Sequence, residues 1–582
     1  AIGIAFWPLI FLWTSQCGFR WSPLSARLVF VALAILAIRN FRLPRTSARF
    51  ALTWTALFAA AIVSRVLQAR ELVFPAWADS VHHAMIVRLL MEHGRIPPTY
   101  DPFIPHGQFY YHWGYHALVA FVCWLTGLTS AARLPAVMLA FGQLLNALTF
   151  VTVYAAGRVL FRNRYAGLAA ATLATTLSMF PAFYLSWGRY THLTGVLLLP
   201  PFLIALWRGR DVPLMALLAA GLFLIHVRIA FFAALIAIVM LAFRRRFVLR
   251  WAAAAGIAII LAAPWLGHLL TNRHVAQFVR PAVLQADDIH MTMPIEDLFV
   301  QNSREMISFA TFGISGMAGL FDMPPLERIA SGVWWLLAIL IWARSEKSRV
   351  PWRAMLFIAA VVIFVGVVLQ LRAGGVVFTR LASNASAVIT AFLPITLAAG
   401  GLIAWIVPRR ALPLLLVAAA IYGVLTMRHI VSPVTVLADA DDAAAMDWIR
   451  TSTPPTACFA VNAMPWMEEA FIGMDGGYWI PIVTGRSTIL PPALYAWSVP
   501  AAEVSRINRA ITMWNGFVLP DAPVTFAYTN RLRDNGRWQT IARIPSARLV
   551  YARGNVSIFA IPSRIAASSK PPNRSSRPSP LS

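Results

Sequence analysis

The sequence predicts an α-helical polytopic membrane protein with about thirteen spans, followed by a small C-terminal α/β soluble domain. Hydrophobic residues make up 59% of its 582 residues and charged residues only 12%, and the mean hydropathy is +0.68. Apolar runs of about 15 to 23 residues recur, which is the length needed to cross a bilayer roughly 30 Å thick. Because the apolar residues do not form one-sided stripes, the composition argues against a single soluble core.

The apolar runs place these spans in order along the chain. The segment 113–128 is ambiguous, and the chain begins inside an apolar run without Met, which leaves open whether its native N-terminus precedes Ala1. The predicted spans are about 1–15, 24–38, 51–67, 135–157, 166–186, 193–207, 213–225, 229–243, 251–270, 329–343, 354–371, 386–406 and 411–431.

Basic residues predict the orientation of the spans. The formal charge is +26, and nearly all of it is Arg, since Lys occurs only at Lys347 and Lys570. No basic–aromatic module of nucleic-acid type interrupts the apolar runs, so the arginines indicate cytoplasmic loops and contacts with lipid phosphates rather than nucleic acid. The alternation is consistent only if 113–128 is re-entrant or lies along the outer surface. The basic loops lie at 39–49, 158–164, 208–210, 244–246, 344–353 and 409–410.

This topology predicts a protein of the cytoplasmic (inner) membrane in three parts. Residues 1–431 form the multi-span domain with a large outer loop at 68–112, residues 432–565 an extracytoplasmic α/β domain, and 566–582 a disordered Pro/Ser/Arg-rich tail. The other outer connections are the short turn at 187–192, the long stretch at 271–328 and the segment 372–385. In the α/β domain we expect a helix at 441–450 and strands at 458–461, 524–528, 548–552 and 556–561.

A dense polar stretch inside the outer loop predicts the reactive centre. Six of the twelve histidines lie between residues 77 and 116, and titratable groups next to a bilayer indicate function by default. Asp79 follows a span closely, where a partly dry carboxylate can act as a general base, and His82 and His83 come directly after it. The alternative is that Asp79 caps a helix over 81–93.

Other residues of this loop are candidate ligands for substrate or metal. His112 and His116 are spaced to share one helix face, and Asp101 and Tyr111 lie beside them in the sequence. Imidazole and carboxylate together suit several divalent ions, so a metal site is one hypothesis, with Asp79, His83, His112 and His116 as ligands. The alternative is interfacial hydrogen bonding within an aromatic belt. The three cysteines, Cys17, Cys123 and Cys458, make neither a metal spacing nor a disulfide framework.

Arginines at breaks in the apolar runs are candidate phosphate ligands. Arg189 with Tyr190 follows Trp187-Gly188, and Arg228 with His226 interrupts an apolar stretch too long for one span. Arg380 is a third, weaker candidate. A guanidinium at the outer surface suits a phosphate, and the alternative for each is contact with lipid headgroups.

The α/β domain carries one further candidate, Asp475-Gly476-Gly477-Tyr478-Trp479. Paired glycines allow close backbone approach, and Tyr478 and Trp479 offer ring faces for a sugar or peptide. Asp475 would be part of the same binding surface. The alternative is a tight turn that leads into packed aromatic residues.

The pattern resembles polytopic glycosyltransferases of the GT-C superfamily, which include the oligosaccharyltransferase catalytic subunit, protein mannosyltransferases and aminoarabinose transferases. The resemblance spans most of residues 1–565, but the chain departs from it in extra N-terminal spans. It also lacks a clean Asp-x-Asp or Trp-Trp-Asp-Tyr-Gly motif, so the resemblance implies neither metal dependence nor a peptide acceptor. The supporting motifs are Asp79-Ser80-Val81-His82-His83, Gly94-Arg95-Ile96-Pro97, Tyr111-His112-Trp113-Gly114-Tyr115-His116 and Trp187-Gly188-Arg189-Tyr190.

The resemblance implies an inverting transfer of a sugar from a polyprenyl-phosphate donor on the outer face of the membrane. Asp79 would deprotonate an acceptor hydroxyl on a glycan, lipid or protein, and Arg189 or Arg228 would stabilise the departing phosphate. No cofactor is implied beyond a possible divalent metal ion. A transporter or flippase of lipid-linked sugar is the main alternative, although no inverted repeat is visible, and a non-catalytic membrane assembly subunit is another.

Overall fold

The fold divides into two compact units. In a computed structural model, the described residues are 1–40, 46–271, 352–370, 384–466, 470–516, 518–520, 523–534, 536–544 and 547–561. Unit 1 is Ala1–Leu437 and unit 2 is Ala438–Ser582. The boundary therefore follows Leu437, whereas the sequence predicts one at 431/432. The predicted span at 329–343 and the predicted tail at 566–582 lie outside the described residues.

Helices make up most of the described residues of unit 1, and a helix begins within a few residues of the start of most predicted spans. Those helices are α1 (Ile2–Gln16), α2 (Pro23–Asn40), α3 (Ala48–Ala69), α4 (Trp77–His93), α5 (Gly114–Thr126), α6 (Leu134–Phe161), α7 (Arg164–Thr172), α8 (Met179–Ala182), α9 (Tyr184–Trp187), α10 (Tyr190–Arg208), α11 (Val212–Ile225), α12 (Val227–Arg244), α13 (Val248–Thr271), α14 (Trp352–Gln370), α15 (Asn384–Thr390), α16 (Phe392–Ile406) and α17 (Leu412–Thr426).

Several of these helices can cross a bilayer. Within the described part of the chain, five helical segments are long and apolar enough, and shorter apolar helices such as α1, α11 and α16 lie among them. This is the architecture of a multi-pass membrane protein, while the span count of about thirteen stays a prediction. The five segments are Ala48–Ala69, Ala131–Phe161, Tyr190–Arg208, Val227–Thr271 and Leu412–His429.

The predicted span at 166–186 is wrong as a continuous helix. α7 ends at Thr172, a π-helical turn follows at Leu173–Leu177, and the short helices α8 and α9 come next. Phe180 has a non-helical backbone (φ −93°, ψ 139°) directly before Pro181, because a proline ring excludes the helical conformation from the residue before it. The break leaves irregular backbone inside unit 1, which such a protein tolerates only where protein surrounds it.

The ambiguous segment forms α5, a buried helix of 13 residues that ends at Gly127 in the left-handed conformation. At 1.5 Å per residue, such a helix spans roughly 20 Å, less than a bilayer core of about 30 Å. α5 packs against α4, and the residues His82, His83, Met85 and Ile86 of α4 are buried. The predicted outer loop therefore contains packed helix, not only exposed chain.

Unit 2 is an α/β fold, as predicted. The helix α18 (Ala440–Ser452) covers the predicted helix, and Asp439 with Asp442 forms a capping box at its start. The strands are β1 (Cys458–Ala460), β2 (Ala463–Pro465), β3 (Phe471–Gly473), β4 (Ser487–Thr488), β5 (Phe526–Asn530), β6 (Arg548–Arg553) and β7 (Val556–Ala560).

The main sheet has the strand order β4-β1-β5-β7-β6. Strand β1 is parallel to β4 and β5, and β7 is antiparallel to β5 and β6. Strands β2 and β3 form a separate antiparallel pair.

Short helices complete unit 2 and cover the sheet. Cys458, Ala460, Trp514 and Phe559 belong to one buried apolar cluster, in which the sheet meets a helix. The helices after β3 are α19 (Ile480–Thr484), α20 (Tyr495–Ser498), α21 (Ala501–Asn515) and α22 (Arg537–Ala542).

Candidate active site

Asp79 lies in the first turn of α4, on a half-buried position. The helix begins at Trp77, and its N-cap residue is Ala76, so the predicted N-cap role of Asp79 is wrong. Trp77 has a positive φ of 66°, which turns the chain into the helix earlier than the sequence indicates. Asp79 therefore sits within the positive end of the helix dipole, where a carboxylate is stabilised.

The Trp187-Gly188-Arg189 turn rests on this same helix turn. Gly188 has a φ of +61°, and a Cβ atom added there would overlap with Ser80 Oγ and lie 2.8 Å from Ala76 O. Only glycine fits this conformation and this contact. Because Ser80 follows Asp79 directly, the turn that carries Arg189 is held against the start of α4.

Tyr111 lies among the predicted acidic and basic residues. Its hydroxyl hydrogen-bonds with the Thr191 side chain, and it interacts electrostatically with Asp79, Arg228 and Arg189. Burial raises the pKa of Tyr111, the Asp79 carboxylate raises it further, and the two guanidinium groups oppose that rise. One carboxylate and two arginines from separate parts of the chain therefore act electrostatically on one partly buried phenol.

The histidines of the polar stretch form a first cluster beside Asp79. His83 Nδ1 and His116 Nε2 are hydrogen-bonded at 3.0 Å, and the rings of His82 and His83 are 4.6 Å apart. Burial lowers the pKa of His82, and the nearby Asp79 carboxylate opposes that shift. The proximity of His82 and His83 to Asp79 agrees with their predicted place at the reactive centre, while their role stays a prediction.

A second histidine cluster lies beside the arginines. The ring of His112 is 4.8 Å from that of His226, and His226 is 4.9 Å from His192. His192 Nε2 is 3.0 Å from Thr390 Oγ1. Sequence reasoning did not name His192 as a site residue, although it lies within the predicted outer connection 187–192 with Arg189; the structure places it in the first turn of α10.

Several buried polar atoms at this site have no hydrogen-bond partner among the described residues. An unsatisfied buried donor or acceptor costs about 1–3 kcal/mol, so a group of them in one place calls for an explanation, such as water, an ion or a bound ligand. Tyr190 was predicted as a substrate residue, and its ring stacks on Tyr115 at 5.9 Å. The unpartnered atoms are His82 Nδ1, His112 Nε2, His116 Nδ1, Arg189 Nε and the hydroxyls of Tyr115 and Tyr190.

The metal site stays a prediction. His83 and His116 are hydrogen-bonded to each other, and the described residues contain no group of three or more His, Cys, Asp or Glu side chains that could hold a metal ion. No step proposed below uses a metal.

The predicted substrate residue Asp101 makes its hydrogen bonds within its own turn. Asp101 is exposed, and its carboxylate accepts hydrogen bonds from Thr99 Oγ1 at 2.8 Å and from the backbone N–H of His106 at 3.0 Å. It therefore stabilises its own turn. Arg380 lies outside the described residues.

In unit 2, the predicted aromatic binding surface is interior. Tyr478 and Trp479 are 1% and 0% exposed, and the Asp475 carboxylate accepts hydrogen bonds from Asn462 Nδ2 at 2.6 Å and from the backbone N–H of Gly477 at 3.0 Å. These contacts favour the packed-turn alternative for Asp475, Tyr478 and Trp479, and the proposal below does not use them.

The buried carboxyls of unit 2 predict a pH dependence of its stability. Burial raises the pKa of Asp475 from 3.8 to about 7, with the Asp442 charge adding to that rise, and burial raises the pKa of Asp442 from 3.8 to about 6. The folded state holds protons that the unfolded state releases, so we expect stability to fall by a few kcal/mol as pH rises from about 4 to about 7. Asp475→Asn should weaken this dependence.

The measurement is amide exchange of peptides from unit 2 in the full-length protein in detergent, at pH 5 and pH 8 after correction for intrinsic rates. Protection that increases with pH would contradict the assignment. Asp447→Asn is the control, because Asp447 is exposed and pairs with Arg450 at 3.0 Å.

No known protein family matches this chain, and no curated protein matches it significantly. Among solved structures, it is similar to the archaeal oligosaccharyltransferase AglB from Archaeoglobus fulgidus in complex with an inhibitory peptide and a dolichol-phosphate, with a TM-score of 0.48 and 15% identity over 88% of this chain and 75% of that chain. It is also similar to the apo form of the Archaeoglobus fulgidus oligosaccharyltransferase, with a TM-score of 0.49 and 14% identity over 84% of this chain and 70% of that chain.

A further similarity is to the arabinofuranosyltransferase AftD from Mycobacteria, with a TM-score of 0.45 and 12% identity over 90% of this chain and 40% of that chain. By their names, both similar proteins transfer sugars, as do the enzymes that the sequence motifs resemble. At TM-scores below 0.5, the similarity assigns no activity to this chain. Fold and site together define a multi-pass membrane protein with one polar, partly buried site in unit 1.

Proposed function

We propose that this protein is a membrane glycosyltransferase that moves a sugar from a polyprenyl-phosphate donor to an acceptor hydroxyl, with inversion at the anomeric carbon. The observation that carries the proposal is that one carboxylate, Asp79, and two guanidinium groups, Arg189 and Arg228, each interact electrostatically with Tyr111. Glycosyl transfer from a phosphate requires a base for the acceptor and cations for the leaving group. In this proposal Asp79 supplies the base and the two arginines supply the cations.

Asp79 is the proposed base. It lies half-buried at the start of α4, with His82 and His83 directly after it. Asp79 takes the proton of the acceptor hydroxyl while that oxygen forms a bond to the anomeric carbon. The bond between this carbon and the phosphate oxygen breaks, and its electron pair leaves with the polyprenyl phosphate. Attack and departure on opposite faces of the sugar produce the inversion.

Arg189 and Arg228 are the proposed phosphate ligands. Arg189 Nε has no hydrogen-bond partner among the described residues, and Arg228 is exposed in the first turn of α12, where Nη1 donates to Ser386 Oγ at 3.3 Å. A planar guanidinium binds two phosphate oxygens at once, and the N-terminus of α12 adds a favourable dipole. Charge that develops on the leaving phosphate is therefore stabilised.

The membrane helices account for the lipid part of the donor. A polyprenyl chain partitions into the bilayer, and unit 1 contains helices that are long and apolar enough to lie in the same bilayer. The phosphate and sugar would lie at the polar break between helices.

Lipid extracts test this proposal directly. Deleting the gene should cause a polyprenyl-phosphate sugar to accumulate, and a wild-type copy should reverse the accumulation. An Asp79→Asn copy should fail to reverse it although the protein is present in the membrane. Unchanged polyprenyl-phosphate sugars in the deletion strain would contradict the proposed donor.

The proposed reaction on the outer face depends on the topology that the basic loops predict. Reporter fusions after Ser432 and after Arg246 should report opposite compartments, because the basic loop at 244–246 marks the cytoplasm and the chain after residue 431 lies outside. The readout is a pair of reporters, one active only in the cytoplasm and one only outside. Both fusions in the cytoplasm would refute the predicted topology and the outer-face reaction.

A further inference from the structure

Arg65 is a buried arginine in the membrane-spanning helix α3. It is 1% exposed, and each of its hydrogen bonds goes to a neutral oxygen. Nε donates to Asn146 Oδ1 at 2.8 Å, Nη1 to Gln68 Oε1 at 3.0 Å and Ser64 Oγ at 3.3 Å, and Nη2 to Thr175 O at 2.8 Å.

A buried cation of this kind is expensive. Removing a charge from water costs several kcal/mol even after relaxation, and ionisable residues in spanning helices mark functional positions by default. Hydrogen bonds to neutral oxygens offset only part of this free-energy cost. The placement of Arg65 therefore requires an explanation beyond helix packing, and the partners of its hydrogen bonds supply one.

Two of these hydrogen bonds connect Arg65 to the break between α7 and α10, one directly through Thr175 and one through Asn146. Thr175 O belongs to the π-helical turn Leu173–Leu177, whose altered hydrogen-bond pattern can free carbonyls. Asn146, which accepts from Arg65, donates through Nδ2 to Pro181 O at 2.9 Å. One guanidinium therefore ties down both the start and the end of the irregular segment 173–182.

The same segment is anchored from a second side. Gln68 accepts from Arg65 and donates through Nε2 to Met427 O at 3.1 Å, just after α17. Ser186 Oγ in α9 accepts from the backbone N–H of Ser432 at 3.1 Å and donates to Ile430 O at 3.3 Å. The end of α17 thus contacts both the Arg65 network and the chain just before Arg189.

Local backbone hydrogen bonds connect this anchored segment to Arg189, the proposed phosphate ligand. Phe183 N–H donates to Met179 O at 2.8 Å, and Arg189 N–H donates to Tyr184 O at 3.2 Å. Gly188 then seats the turn against Ser80 of α4. From Pro181 to Arg189 the chain is therefore a continuous series of bonded turns.

We propose that Arg65 and Asn146 are positioning residues that hold the Arg189 turn in the geometry that binds the donor phosphate. The proposal rests on the proposed function of Arg189 as a phosphate ligand. Arg65 itself touches no substrate, and it acts through Asn146, Pro181 and the turns that follow.

Two substitutions separate positioning from general stability. Asn146→Asp keeps an acceptor for Arg65 and gives it a negative partner, but removes the donor to Pro181 O, so the fold is retained while the link to the Arg189 turn is lost. Arg65→Gln removes the cation. The control is Arg27→Gln, because Arg27 Nε makes one exposed hydrogen bond, to Leu125 O at 3.2 Å. Arg189→Gln shows the effect of losing the ligand itself.

The experiment measures the Kd of polyprenyl phosphate for the full-length protein in nanodiscs, the unfolding temperature, and amide exchange in peptides that cover residues 179–190. Asn146→Asp and Arg65→Gln should raise the Kd at least tenfold and speed exchange of these peptides. Asn146→Asp and Arg27→Gln should unfold near the wild-type temperature, and Arg27→Gln should bind normally.

Two outcomes overturn different claims. In the first outcome, the wild-type protein binds polyprenyl phosphate and Arg189→Gln loses this binding. If Asn146→Asp and Arg65→Gln still bind it, and amide exchange at 179–190 is unchanged, the positioning role alone is overturned. If the wild-type protein does not bind polyprenyl phosphate, the proposed donor site fails, and the positioning of a phosphate ligand fails with it. Faster exchange at 179–190 would then still establish the mechanical link from Asn146 to the Arg189 turn.

Discussion

Replacing Asp79 with Asn is expected to slow sugar transfer by about 10²- to 10⁴-fold, the usual contribution of a positioned general base. The substitution keeps the size of the side chain and removes only its ability to take the proton of the acceptor. The helix should form normally, because its N-cap is Ala76 and not Asp79. Single-turnover transfer in nanodiscs, together with the unfolding temperature, measures both parts of this prediction.

Asp101→Asn is the matched control. Asp101 is a second carboxylate of the same loop, but it accepts hydrogen bonds within its own exposed turn. It should retain transfer within a few-fold of wild type. Near-normal turnover in Asp79→Asn would remove Asp79 as the base, and loss of turnover in Asp101→Asn alone would make Asp101 the next candidate.

Arg189→Lys and Arg228→Lys form the second prediction. A lysine keeps the charge but loses the fork that binds two phosphate oxygens, so the KM for the donor should rise about tenfold, equivalent to about 1.4 kcal/mol. The KM for the acceptor should change little, because only the donor carries the phosphate. Steady-state kinetics with each substrate varied in turn separates the two effects.

The control for these variants is Arg70→Lys. Arg70 is exposed at the end of α3 and pairs with Glu71 at 2.9 Å, a surface ion pair of small energetic value. If Arg189→Lys and Arg228→Lys also leave the donor dependence unchanged, both arginines are headgroup contacts. The phosphate site would then have to be sought at Arg380 or within 271–328.

The fold could be predicted from sequence wherever a local pattern decides it. Apolar runs of spanning length correctly indicated helices such as α3 and α10, and alternating short strands indicated the α/β unit. The break at 173–182 could not be predicted from hydropathy, because its residues are as apolar as those of a continuous span. The side chains that bond to it, Arg65 and Asn146, are 81 residues apart in the chain.

The candidate site residues could likewise be predicted only where a local sequence pattern points to them. Asp79, Arg189 and Arg228 stand out because charged residues are rare next to apolar runs. His192 is hydrogen-bonded to Thr390, which is 198 residues away in the chain, and no local sequence pattern predicts that contact. Tyr478 and Trp479 show the reverse case, since a Gly-Gly-aromatic sequence fits a binding surface and a packed turn equally well, and only their burial decides between the two.

The most direct test of the proposed reaction uses lipid extracted from the deletion strain as the donor. Purified wild-type protein in nanodiscs, given this lipid and a membrane fraction that contains the acceptor, should release polyprenyl phosphate as the sugar is transferred, and the new glycosidic bond should have the inverted anomeric configuration. Asp79→Asn under the same conditions should release almost none. Equal release by wild-type and Asp79→Asn protein, or a product with retained configuration, would contradict the proposed reaction.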